Sequence, residues 1–257
     1  MISGVLLDLA GVVYDGDKAI AGAVDAVARL RAAGLPIRFV SNTTRSPRPA
    51  VLRRLAGFGL PVEEEELFTP AQAARQWLRQ HGCSPHLLVH PDFKTEFDGM
   101  PEGGRRAVIV GDVGESLDYA KLNRAFRELT RGAELLALAN NRSFKDADGI
   151  LSLDAGAVVA AFEFASRAQA IVLGKPSPEF FLSALAGMGC PPDEAVMVGD
   201  DAESDVAGAR SCGLGALLVR TGKYRAGDET RFDPPPSAVV ADLAAAADWI
   251  IAHAKDG

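Results

Sequence analysis

Cysteine is scarce in this 257-residue sequence: Cys83, Cys190 and Cys212 are odd in number and have no metal-ligand spacing. That argues against a disulfide scaffold and a thiolate metal site. No secretory leader precedes the strand pattern that starts at Gly4, so the three read as reduced thiols of a cytoplasmic protein. Apolar runs fall short of the roughly 20 residues that a membrane-spanning helix needs, and no membrane partner is expected. Basic residues are also in deficit: 27 Lys and Arg against 34 Asp and Glu leave a net charge of -7. The cations are scattered, which removes the electrostatic footprint of a nucleic-acid partner. The four histidines (His81, His86, His90, His253) lack ligand spacing and read as structural or surface residues. What is present is 48% hydrophobic and 24% charged residues, the composition of a chain that folds on its own core.

Short apolar runs alternate with helix-period segments, the pattern of a parallel sheet flanked by helices. The N-terminal part predicts a strand at Val5–Leu7, a helix at Ala23–Ala33 stopped by Gly34, a strand at Ile37–Val40 and a helix at Pro49–Gly57. Thr69, Pro70 and Gly82 bracket a further helix, with Pro in its first turn and Gly just past its end. The C-terminal part predicts strands at Ala170–Leu173, Ala195–Val198 and Ala216–Val219, with helices at Pro178–Met188, Glu203–Cys212 and Leu243–His253. Between these parts lie strands near Leu87–Val89, Ala107–Val110 and Glu134–Leu138, and helices near Tyr119–Arg131 and Ala157–Arg167. The glutamate run 63–66 reads as a solvated turn before a helix, and the apolar stretch Ala157–Ala165 as buried core.

Ligands of open α/β sheets bind beyond the carboxyl ends of the strands. Asp8 ends the first predicted strand, Ser41 and Asn42 the second; Lys175 follows a later one, and Asp200 and Asp201 end another. Asp8, Asp200, Asp201 and Asp205 together would repel one another unless a hard cation sat among them, and Mg²⁺ takes a few carboxylates, waters and phosphate oxygens. Lys175 and the Ser41 hydroxyl are then placed to hold phosphoryl oxygens, with Lys175 also keeping a nucleophilic Asp8 ionised. Phosphoryl transfer through an aspartyl phosphate is the reaction class that results. Taken singly, each residue has a plainer reading. Asp8 is a turn residue, Ser41 and Asn42 cap the next helix, Asp205 steadies a first helical turn, and Lys175, before Pro176, is a surface charge.

Four segments resemble, in order, the motifs of haloacid dehalogenase-type phosphatases: LLDLAGVVYD (6–15), FVSNTT (39–44), GKPSPEFF (174–181) and VGDDAESD (198–205). The insertion between the second and third resembles the large α/β (type IIA) cap of the subgroup that includes nucleotide-monophosphate, 4-nitrophenyl phosphate and pyridoxal phosphate phosphatases. PHLLVHPDFKTEFD (85–98), GESLDYAKLNRAF (114–126) and VRTGKYRAGDE (219–229) extend the similarity to the branch acting on phospholysine, phosphohistidine and pyrophosphate. The resemblance implies a doubly wound, Rossmann-like parallel-sheet core at 1–75 and 167–257, and a smaller cap at 76–166 that closes over the site. It implies Asp8 as nucleophile, Ser41, Asn42 and Lys175 as phosphate binders, and Asp8, the Ala10 carbonyl and Asp200 as Mg²⁺ ligands supported by Asp201 and Asp205. It also implies a small phosphorylated substrate and a homodimer through the cap. Asn140, Asn141, Arg142 and the Asp154–Gly156 turn resemble positions that face the substrate in relatives.

Ala10 departs from the pattern. Most phosphatases of the superfamily carry a second Asp there as general acid and base, a group that contributes about 10²- to 10⁴-fold. Its absence points to good leaving groups, phosphoramidates and pyrophosphate, over alkyl monoesters. Three alternatives stand beside this reading: a C–P hydrolase like phosphonoacetaldehyde hydrolase, a metal-free dehalogenase, and a phosphate-binding or regulatory protein on the same fold.

Overall fold

The computed structural model describes residues 1–145 and 150–254. In chain order they form β1 (Gly4–Asp8), the short β2 (Tyr14–Asp15) and β3 (Lys18–Ala19), α1 (Ala23–Ala32), β4 (Ile37–Val40), α2 (Arg48–Gly57) and β5 (Leu67–Phe68). There follow α3 (Pro70–His81), β6 (Cys83–Leu88), β7 (Arg105–Val110), α4 (Tyr119–Thr130), β8 (Glu134–Ala137), β9 (Ser143–Lys145), β10 (Leu151–Leu153), α5 (Ala155–Ser166) and β11 (Ala170–Val172). The chain ends with α6 (Pro178–Leu185), β12 (Ala195–Gly199), α7 (Gly208–Ser211), β13 (Gly215–Val219), β14 (Ala238–Val240) and α8 (Leu243–Ala252).

The residues divide into two compact units. The first holds Met1–Ser41, Leu52–Phe68 and Lys175–Gly257. Its sheet runs β14-β13-β12-β1-β4-β5 with every neighbouring pair parallel. From β1 the chain winds one way through β4 to β5 and the other way through β12 to β14, so the topological switch point lies between β1 and β12. All five residues of each of these two strands are buried, as continuous apolar runs at the centre of a parallel sheet require.

The second unit holds Asn42–Val51 and Thr69–Gly174. Its own parallel sheet runs β11-β8-β7-β6. Leu88, Val108, Val110 and Leu135 of that sheet pack with Leu129 of α4 and Val159 and Phe162 of α5. The sequence reading set this insertion at 76–166. The compact unit takes more chain because α3 packs on β6 and β11 pairs with β8, which draws in both flanks.

Three expectations change. The 63–66 run leads into the strand β5, not a helix, and Glu66 accepts from the Arg31 guanidinium at 2.8 Å. Ala157–Ala165 is not wholly core: Val159 and Phe162 face inward, while Phe164 is 91% exposed on the opposite side of the same helix. The helix predicted at Glu203–Cys212 opens with a π-wound stretch, Ala202–Ala207, in which the Val206 N–H donates to the Asp201 carbonyl five residues back.

Candidate active site

β1 delivers Asp8 as its last residue, and Asp200 follows β12 directly, so both carboxylates stand at the carboxyl side of the switch point. Lys175 joins them: its Nζ lies 2.7 Å from Asp8 Oδ1 and 2.7 Å from Asp205 Oδ1. With 3% of its surface exposed, Lys175 is no surface charge. Asp205 is fully buried, and the π-wound stretch turns it back onto the strand end. Gly199 permits that approach, since a Cβ there would fall inside 3.0 Å of the Asp205 side chain. Asp201 caps the same stretch: its Oδ1 accepts from the Glu203 and Ser204 N–H groups, and its own N–H donates to Asp205 Oδ2 at 3.2 Å.

Asp8, Asp200 and Asp205 each bring a carboxylate oxygen within 4.8 Å of the others. Burial, and then the charge of Asp8, push the Asp200 carboxyl up to about 6, opposed by the Lys223 backbone N–H. Burial alone would lower the Lys175 ammonium, yet Asp205 and Asp8 hold it above the ordinary lysine range. Asp201 is buried enough to be raised, but the Lys223 ammonium and the Ser204 N–H bring it below the carboxylate range. Four acidic side chains face two ammonium groups, Lys175 and Lys223, so acidic groups are in excess, and burial raises the Asp205 carboxyl above its ordinary range. Asp200 Oδ1 is buried with no hydrogen-bond partner among the described residues. A buried, unpaired carboxylate oxygen in a site with acidic groups in excess fits a small divalent cation with oxygen preference.

Ser41 stands at the carboxyl end of β4, buried, its N–H donating to the Phe68 carbonyl at 3.2 Å. Neither it nor Asn42 caps α2, which starts six residues later at Arg48. Asn42 belongs to the second unit, where its Oδ1 lies beside the Gly174 backbone. Ala10 is exposed and its backbone bridges Tyr14; its methyl has no proton to give. In the second unit Asp154 is buried and caps α5 through the Ala155 N–H, and its own N–H holds the Arg142 carbonyl. The Gly156 N–H holds the Asn141 carbonyl, while Asn140 and Arg142 are exposed. So Asp154 and the 140–142 segment form a pinned turn, not a loose solvated loop.

Sequence reasoning passed over Thr221, Gly222 and Lys223. The Lys223 N–H donates to Asp200 Oδ2 at 2.6 Å, and its Nζ lies 3.2 Å from Asp201 Oδ2. The signal was available, for these residues follow β13, the neighbour of β12.

Residues 5–101 match the family profile described as haloacid dehalogenase-like hydrolase, and 172–246 match one described as HAD-hydrolase-like. The chain is 44% identical over 258 residues to the phospholysine phosphohistidine inorganic pyrophosphate phosphatase of Xenopus laevis, covering 98% of this chain and 95% of that protein. It is 42% identical over 252 residues to the human haloacid dehalogenase-like hydrolase domain-containing protein 2, covering 98% and 97%. Among solved structures, NagD from E. coli K-12 superposes with a TM-score of 0.85 at 25% identity, covering 95% of this chain and 97% of that one. A glycerol phosphate phosphatase from Mycobacterium tuberculosis, in complex with magnesium, gives 0.80 at 26% identity, covering 94% and 75%.

Proposed function

This chain belongs to the haloacid dehalogenase-like hydrolases and is a phosphohydrolase acting on a small phosphorylated substrate, and from that premise we propose a Mg²⁺-dependent reaction through a phosphoryl group carried on Asp8. The observation that carries this reading is the buried group of Asp8, Asp200 and Asp205 around Lys175, with Asp200 Oδ1 unpartnered.

The Asp8 carboxylate attacks phosphorus; the bond to the leaving group breaks, its electron pair departing with that group. Water then attacks phosphorus, releases phosphate and regenerates the carboxylate. Lys175 faces the charge on the transferring oxygens, and the Ser41 hydroxyl donates to one of those that remain, Asn42 being the further phosphate binder that the resemblance implies. Asp8, the Ala10 carbonyl and Asp200 would hold Mg²⁺, with Asp201 and Asp205 orienting that set. When bound, the ion supplies Lewis-acid stabilisation of phosphoryl charge. Ala10 leaves the departing atom without a protein acid, so preference falls on phosphoramidates, whose nitrogen takes up its own proton, and on pyrophosphate. The phospholysine and phosphohistidine substrates in the relatives' names support that preference. Three unbridged cysteines support a cytoplasmic setting, and no described helix is long and apolar enough to cross a membrane.

The test is steady-state phosphate release from pyrophosphate, imidodiphosphate, phospholysine and 4-nitrophenyl phosphate, with Mg²⁺ or EDTA. Turnover should require Mg²⁺ and vanish in Asp8→Asn. Ala10→Asp should raise turnover of simple alkyl esters by about 10²-fold or more. No metal-dependent turnover of any of these substrates would defeat the reading.

A further inference from the structure

The stretch 219–229 is absorbed by none of the roles above, yet its start reaches into the site. Three bonds converge there. The Thr221 hydroxyl donates to the carbonyl of Gly11, on the loop that follows Asp8. The Lys223 backbone N–H takes Asp200 Oδ2, and the Lys223 ammonium takes Asp201 Oδ2. One turn thus joins the loop after β1 to both carboxylates after β12.

The fit around Asp200 is tight on two sides. Gly11 and Gly222 both have positive φ, +83 and +59, and flank the same oxygen, Asp200 Oδ2. A Cβ built on either would come inside 3.0 Å of that oxygen, and one on Gly222 would also crowd the Gly11 backbone. Oδ2 is therefore held in a slot of two glycines and closed by an N–H. Oδ1, at the other end of the carboxylate, is the atom left buried and bare.

We propose that the Thr221–Lys223 turn is a positioning element of the cation site, fixing Asp200 so that it offers one oxygen and not two. The physical consequence is selectivity. Mg²⁺ demands a compact octahedral set of single oxygens, whereas Ca²⁺ accepts bidentate carboxylates and looser geometry. A carboxylate with one oxygen tied to backbone favours the smaller ion.

This rests on the Mg²⁺ reading above, and the test separates the two. The full-length protein, stripped of metal, is titrated calorimetrically with MgCl₂ and with CaCl₂, alongside Gly222→Ala, Thr221→Val and Gly227→Ala. Gly227 sits in the same loop at φ +97 with nothing within 4 Å of an added Cβ, so its variant carries the left-handed strain without the contact. Loss of an outer-shell support of a metal ligand lowers affinity by about 10- to 100-fold. Gly222→Ala should weaken Mg²⁺ binding by that factor and Ca²⁺ binding less, lowering the preference for Mg²⁺, while Gly227→Ala keeps the wild-type affinities. Equal Mg²⁺ affinity and equal preference in Gly222→Ala and Gly227→Ala would overturn the proposal. If circular dichroism shows Gly222→Ala to be unfolded, Thr221→Val decides: weaker Mg²⁺ binding with a lowered preference supports the turn's role, and unchanged binding overturns it. A wild-type protein that binds no Mg²⁺ would bring down the functional reading itself.

Discussion

A carboxylate buried beside other carboxylates destabilises the chain that carries it until something neutralises it. In Asp200 the folded chain holds the carboxyl up at about 6, against an ordinary 3.8. Between those values the folded state binds more protons than the unfolded one, so metal-free stability falls as pH rises from about 4 to 6, by up to about 3 kcal/mol, and stays lowered at neutral pH. Asp201, whose carboxyl is lowered, works in the opposite sense and only below its ordinary range. Asp200→Asn removes this contribution and, with it, part of the charge that raises the buried Asp205 carboxyl. In EDTA its melting temperature should exceed that of wild type at pH 7 and converge with it near pH 4. Mg²⁺ at pH 7 should then raise the melting temperature of wild type and not of the variant. A constant difference between the two proteins across this pH range would sink the argument.

At the scale of elements, the hairpin of β2 and β3 directly follows the loop after Asp8 that carries Ala10, and it is only two residues long on each side. So short a hairpin has little stability of its own. Arg54 on α2 holds it: the guanidinium donates to the Gly16 carbonyl, pairs with Asp17 at 3.0 Å and lies 4.5 Å from the centroid of the Tyr14 ring. Removing it should therefore open the hairpin locally and leave the sheet intact. In Arg54→Ala, amide hydrogen exchange of residues 14–19 should accelerate, while the global unfolding free energy drops by no more than about 1–2 kcal/mol. Unchanged protection of 14–19 would mean that the hairpin is held by something else.

For the whole molecule, the open question is association. The resemblance carries a homodimer through the second unit, and that unit exposes Phe164 at 91%, Tyr119 at 79% and Leu153 at 71%. We propose that a second copy of this chain covers Phe164, as the resemblance implies. Phe164→Asp should give a gel-filtration mass of one chain where wild type gives two, without altering Mg²⁺ binding by the first unit. A monomeric wild type would end the dimer proposal.

Much of this was legible in the linear order of residues. Strand periodicity located β4 to the residue, and Thr69, Pro70 and Gly82 marked both ends of α3, because caps and breakers act locally. The strand-end rule singled out Asp8 and Asp200, because a parallel sheet exposes its carboxyl ends; Lys175 follows β11, a strand of the other sheet, so its place beside Asp8 does not come from that rule. Ala10 stands, by identity alone, where the resemblance implies an acid. What could not be read is whatever depends on two distant segments meeting. The π-wound turn that sends Asp205 to Lys175 has no signature in AESDVA. The exposed face of α5 looked apolar enough for a core, since periodicity cannot say which apolar face finds a partner. The Thr221–Lys223 turn lay outside the acidic motifs, and its hold on Asp200 comes through a backbone N–H that every residue but proline possesses. Local chemistry is written in residue types; which oxygen of a carboxylate is pinned and which is left bare is decided only when β12 and β13 come to lie side by side.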